Sequence, residues 1–124
     1  MKYLDYLDEL NGSLTFKTSF KPTQEELDEL LNYLTAKKDN EKIWRLALSF
    51  ANYDYNFDKF INYFIKEQNI YYLEELLYVL HDDKFNIKEV YNKINDDSFK
   101  NEYINILKEY YVMNDDEIKK LLNE

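Results

Sequence analysis

Apolar side chains along this chain fall in groups spaced i, i+3, i+4, i+7, the spacing of a helix with one buried face. Leu27, Leu30, Leu31 and Leu34 form one group, and Ile43, Leu46, Ala47 and Phe50 form the next. Adding thirty to each number gives Phe57, Phe60, Ile61 and Phe64, then Leu73, Leu76, Leu77 and Leu80. Adding thirty again gives Ile87, Val90, Tyr91 and Ile94, then Tyr103, Ile106, Leu107 and Tyr110. Each unit therefore predicts a pair of amphipathic helices. Neither helix of a pair buries its stripe alone, so stacked units are expected to share one continuous core.

The residues between the stripes mark where helices start and stop. Thr23 with Glu26, Asn86 with Glu89 and Asn114 with Glu117 each place a capping side chain three residues before a Glu, the pattern that satisfies free N–H groups at a helix start. Asn40, Asn56 and Asn69 stand where other helices are expected to begin. Gly12, in Asn11-Gly12-Ser13, ends an opening helix, and Pro22 precedes the first unit. Leu14 to Phe20, LTFKTSF, reads as an extended segment or irregular helix continuation packed over the first unit. Ile118, Leu121 and Leu122 predict a short final helix that slips out of the thirty-residue frame, as a terminal unit with one face in water should.

The expected fold is all-α: a single domain built as a short right-handed α-solenoid of about three antiparallel helix pairs, at 23–52, 53–82 and 83–112. A helix and extended cap at 1–22 precede them and a capping helix at 113–124 follows. Ankyrin units have a similar length but need Gly and Pro in their turns, and these units contain neither. Over roughly residues 23–112 the chain resembles the HEAT-like α-solenoids in their shorter form. An irregular helical bundle is the alternative.

Composition narrows the function more than the fold. The net charge is −9. A surface of that sign repels phosphate backbones and anionic membranes and attracts a basic protein. Cysteine is absent, which removes disulfides, thiolate metal sites and a Cys nucleophile, and suits the cytoplasm. The start, MKYLDYLDEL, lacks the cationic flank and apolar run of a signal peptide. Thirteen Tyr, with Asn and Lys abundant and Arg45 the single arginine, also match the residue preferences of an AT-rich genome. The aromatic count alone is therefore weak evidence for a binding surface.

Candidate catalytic groups are few. His81 precedes Asp82 and Asp83, but in the repeat frame it stands at the end of a second helix, where a cationic side chain suits the dipole. No Ser or Cys nucleophile accompanies it, and no glycine-rich loop exists to cradle phosphate. Paired acids such as Glu74-Glu75 and Asp96-Asp97 lack the Glu-x-x-His or glycine-centred loop patterns of metal sites. They read as solvated faces or caps. Asn32, Asn62 and Asn92 share a column that could carry an amide ladder. Trp44 reads as a core side chain beside the stripe, and Arg45 as the partner of a neighbouring acid. An enzyme is not expected, and neither cofactor nor metal.

What remains is the surface of the second helices, the inner, concave wall on which a solenoid commonly holds a partner, with the loops that follow them. Tyr53, Asp54, Tyr71, Glu75, Tyr78, Asp82, Asp83, Glu109 and Tyr111 are the candidate partner-binding residues. Tyrosine offers broad contact area and a hydroxyl, and surrounding acids select a basic protein partner. With its helix-pair repeat and EKIWRLALSF leading into the second unit, the chain resembles the all-α immunity proteins of bacterial polymorphic toxin systems. That resemblance implies a monomeric cytoplasmic inhibitor that blocks a cognate toxin by stoichiometric binding. A HEAT-like adaptor module and an acidic nucleic-acid mimic are the other readings.

Overall fold

The structure, a computed structural model, describes residues 4–11, 15–16, 21–81 and 84–123. Among these residues all regular structure is helical. A 3-10 helix, Leu4–Asn11, is followed by α1 (Gln24–Ala36), α2 (Asn40–Phe50), α3 (Asp58–Lys66), α4 (Ile70–Leu80), α5 (Ile87–Lys93), α6 (Asp97–Tyr110) and α7 (Asp115–Asn123). α1 packs on α2 and α3 on α4. Across units, α2 packs on α4 and α4 on α6, while α1 packs on α3, α3 on α5 and α5 on α7. The stripes meet in one core that runs from Leu7 to Ile118.

The connections after α1 and α3 show why the chain turns where it does. Lys38 and Gln68, thirty residues apart, both adopt left-handed backbone, with φ of 54° and 52°. Around them the hydrogen bonds match one for one. Lys38 N–H donates to the Thr35 carbonyl and Asp39 N–H to that of Leu34, as Gln68 N–H does to Ile65 and Asn69 N–H to Phe64. This is a Schellman turn, in which two otherwise unpaired carbonyls at a helix end gain donors. A non-glycine residue there costs about 1–2 kcal/mol, offset by those bonds and by the cap that follows. Asp39 accepts from Lys42 N–H at 3.3 Å and Asn69 from Tyr72 N–H at 3.1 Å, so the next helix starts at once.

The predicted caps are largely present, with corrections. Thr23 and Glu26 form a reciprocal capping box, Asn114 and Glu117 do the same, and Asn86 accepts from Glu89 N–H. α2 begins at Asn40 as expected, with Asp39 as its cap, because the Schellman turn delivers residue 39 to that position. Asn56 stands one residue early. Its Oδ1 accepts from Asp58 N–H at 2.8 Å while Phe57 takes the cap position.

The third pair departs from the thirty-residue frame. α5 is short, Ile94 is already extended, and Asp96 caps α6 from Asp97, three residues ahead of the expected start. Phe99 is consequently buried, an extra core side chain. At the other end of α6, Tyr110 was expected on the stripe but is 41% exposed. α6 has a second-helix neighbour, α4, on one side only, so its last turn is not closed over. Ile87 and Tyr91 are likewise only half-buried.

The first unit is covered from outside by the N-terminal segment. Leu7 and Leu10 are buried against α2, and the Arg45 guanidinium donates to the Leu10 carbonyl while pairing with Glu41 at 2.7 Å. The expected acidic partner of Arg45 is thus Glu41, one helical turn away. Phe16 N–H donates to Ser49 Oγ at 3.3 Å and its ring lies 5.9 Å from Phe50. Most of the Leu14 to Phe20 stretch, and Gly12, lie outside the described residues. Units one and two are tied by Tyr55, whose hydroxyl donates to the Pro22 carbonyl at 2.6 Å, and by Lys59 paired with Asp28 at 3.0 Å.

Tyr103 is fully buried in α6 and donates to the Ile87 carbonyl at 2.8 Å. Burial raises its pKa, with the Tyr111 side chain adding to the shift. The unfolded chain therefore ionises this phenol first, near the ordinary value of about 10, and binds fewer protons than the folded chain above that pH. Stability is expected to be fully present below about pH 10 and to fall as pH rises beyond it. Melting temperatures from pH 8 to 11 will show the fall, and Tyr103→Phe will flatten it.

Candidate partner-binding face

In α4, IYYLEELLYVL, the four leucines at 73, 76, 77 and 80 are buried. That fixes the rest of the helix: Tyr71, Glu74, Glu75 and Tyr78 lie on the opposite side, at i, i+3, i+4 and i+7. Tyr71 is 62% exposed and Tyr78 57%. α6 packs alongside and contributes Glu102, Asn105, Glu109 and Tyr110. The Tyr78 and Tyr110 rings meet edge-on at 5.2 Å, joining the two helices at the surface. Tyr71 stands edge-on to Tyr72 at 5.0 Å, and Tyr72, half-buried, stacks on Phe64 at 5.7 Å.

Electrostatics on this face is one-sided. The Tyr110 pKa is raised, chiefly by the neighbouring Glu74 carboxylate, with the charges of Glu75 and Glu109 adding to the shift. Between the helices lies a groove of about 250 Å³ lined by Ile70, Glu74, Glu102, Asn105, Ile106 and Glu109. Among the described residues no lysine or arginine lies within ion-pair distance of Glu74, Glu75, Glu102 or Glu109. Lys108, the basic residue nearest in sequence, pairs instead with Asp115 at 2.9 Å, and that bond lowers the Asp115 pKa.

Tyr71, Glu75, Tyr78 and Glu109 of the predicted set thus come together on α4 and α6. Tyr53 and Asp54 lie elsewhere, exposed in the connection between α2 and α3, where Lys84 donates to the Tyr53 carbonyl at 3.0 Å. Asp82 and Asp83 lie outside the described residues. Tyr111 is half-buried, and its hydroxyl donates to the Leu77 carbonyl at 2.7 Å. That carbonyl also accepts from His81 N–H at 3.0 Å. Tyr111→Phe will therefore cost only about 1 kcal/mol in chemical denaturation, since the carbonyl keeps one donor. A Tyr111 belonging to the surface alone would leave stability unchanged. His81 itself is the exposed C-cap of α4, its ring 6.5 Å from that of Tyr78.

Sequence reasoning missed Glu74 and Tyr110 as members of this face. Tyr110 fits the stripe by spacing, and Glu74 stands in an acid pair that reads as a solvated face or cap. Trp44 is half-buried, with no hydrogen-bond partner for its indole N–H among the described residues. Asn32, Asn62 and Asn92 are all exposed, so the column builds no buried ladder.

A larger groove, about 570 Å³, lies where α3 and α5 end and α6 begins, lined by Asn62, Lys66, Gln68, Lys93 and Phe99 among others. It exists because α5 stops early and Ile94 leaves the helix. Among the described residues no group of three His, Asp or Glu side chains is placed to hold a metal ion, and no helix is long and apolar enough to cross a membrane. No family model matches the chain, and no curated protein or solved structure matches it either.

Proposed function

We propose that this chain is a non-catalytic inhibitor, an immunity protein that neutralises a basic bacterial toxin in the cytoplasm by stoichiometric binding, with no cofactor. The observation that carries the reading is the α4–α6 face, where exposed Tyr71, Tyr78 and Tyr110 stand among four carboxylates that have no ion-pair partner among the described residues. Elsewhere tyrosines already hold lysines: Lys37 lies 4.4 Å above the Tyr33 ring and Lys100 4.9 Å above that of Tyr91. Aromatic rings and carboxylates with no cation of their own suit a cationic protein surface. The net charge of −9 adds long-range attraction for the same partner.

The architecture we propose is a right-handed α-solenoid of about three helix pairs. Its supports are the ordered packing of α2, α4 and α6 and the matching turns at Lys38 and Gln68. In such a stack the second helices form a continuous wall, which is where α4 and α6 present their acids. The decisive experiment expresses the product of the adjacent gene alone and together with this chain. Growth arrest relieved by co-expression, with the two proteins eluting as a 1:1 complex, is expected. An adjacent product that is harmless, or that does not co-elute, would remove the immunity reading.

A further inference from the structure

The groove between α4 and α6 has a more specific chemistry than an acidic surface. Ile70 and the buried Ile106 line it together with three carboxylates, Glu74 from α4 and Glu102 and Glu109 from α6, the last two about two turns apart. These carboxylates are not placed to close on a metal ion. At about 250 Å³ the groove is also smaller than the roughly 300–1,000 Å³ usual for small-molecule pockets. A groove lined by aliphatic side chains and carboxylates is complementary to one long side chain carrying a cation at its end.

We infer that the α4–α6 groove is a receptor for a single arginine side chain projecting from the partner's surface. The arginine stem lies along Ile70 and Ile106. Its planar guanidinium, with five N–H donors, engages carboxylates from both helices at once, which the compact ammonium of lysine does less well. Tyr78 and Tyr110, in contact at the surface, offer ring faces and edges to the chain that carries the arginine. This rests on reading the α4–α6 face as the partner-binding surface and names what that surface selects.

The test uses a blocked alanine-rich pentapeptide with one central arginine, titrated into the isotopically labelled full chain and followed by amide chemical shifts. Saturable shifts at Ile70, Glu74, Glu102 and Ile106 are expected, with the citrulline peptide inert and the lysine peptide weaker by several-fold. Glu102→Gln/Glu109→Gln should weaken the arginine peptide by about tenfold, the scale of losing close charge pairs. Glu25→Gln/Glu29→Gln removes the same two charges from exposed positions on α1 and should leave affinity within about twofold, since screened distant charges matter little. Unchanged circular dichroism excludes unfolding as the cause. The inference is overturned if citrulline or lysine peptides bind as well as arginine, if shifts spread over every acidic face, or if both double variants lose affinity equally. A groove that takes the arginine peptide while the adjacent gene product forms no complex overturns the immunity reading instead. A complex untouched by Glu102→Gln/Glu109→Gln overturns the groove alone.

Discussion

Leu76→Ala is expected to lower the unfolding free energy by about 2–5 kcal/mol, the range for deleting a fully buried leucine with partial collapse of the cavity. α4 is the reason to expect the upper part of that range. It packs against α2, α3 and α6, so its stripe is enclosed from three directions and the surrounding side chains have little room to relax. Leu73, Leu76 and Leu77 are all fully buried. Urea unfolding followed by circular dichroism measures the loss. A shift below about 1 kcal/mol would show that the helices around α4 repack freely, contrary to the enclosure described.

Reversing Glu75, Glu102 and Glu109 to lysine is expected to slow association with the basic partner by about ten- to a hundredfold at low ionic strength, with a smaller change in dissociation. Glu74 is left intact because its charge acts on Tyr110. The effect should shrink as salt rises, because the Debye length falls from about 10 Å at 0.1 M to about 3 Å at 1 M. Stability should barely change, as none of the three is in an ion pair among the described residues. Stopped-flow association across a salt series reads this directly. Rates equal to those of the unaltered chain would move the binding surface to the Tyr53–Asp54 end or to the groove between α3 and α5.

Twenty-one of the twenty-four stripe positions are buried, so the pattern of apolar residues carried most of the core. Helix starts were legible at Thr23, Asn69 and Asn86, whose side chains cap the helices that follow, and at Asn40, where α2 begins. Which residue takes the cap position is less legible where backbone geometry decides. Nothing in a lysine or a glutamine announces left-handed φ, yet Lys38 and Gln68 adopt it and so set Asp39, not Asn40, as the cap. In the third unit Asp96, one of the paired acids read as faces or caps, does cap α6, three residues ahead of the thirty-residue frame, since it is a better cap than anything at the position the frame requires.

The candidate face was legible only in part, for a related reason. Periodicity separates inside from outside along one helix. It does not say which two helices leave a slot between them, nor which end of a row lacks a neighbour. Tyr110 fits the stripe by spacing, yet it stands at the surface because α6 is flanked by α4 on one side only. Tyr111 breaks the stripe by spacing, yet its hydroxyl is committed to Leu77. A one-residue offset thus exchanged the roles expected of adjacent tyrosines.

The order of packing also bears on how the chain reaches this shape. Each substantial helix–helix contact joins elements that are adjacent or next-but-one along the sequence, from the 3-10 helix on α2 to α5 on α7. Closing a short loop costs little chain entropy, and domains dominated by such local pairings have low contact order and fold in microseconds to milliseconds. Assembly can begin at the α2–α4 and α3–α4 contacts and extend toward both termini without any long excursion of the chain. α7, touched only by α5 and α6 among its substantial contacts, is then the last helix to settle and the first to fray.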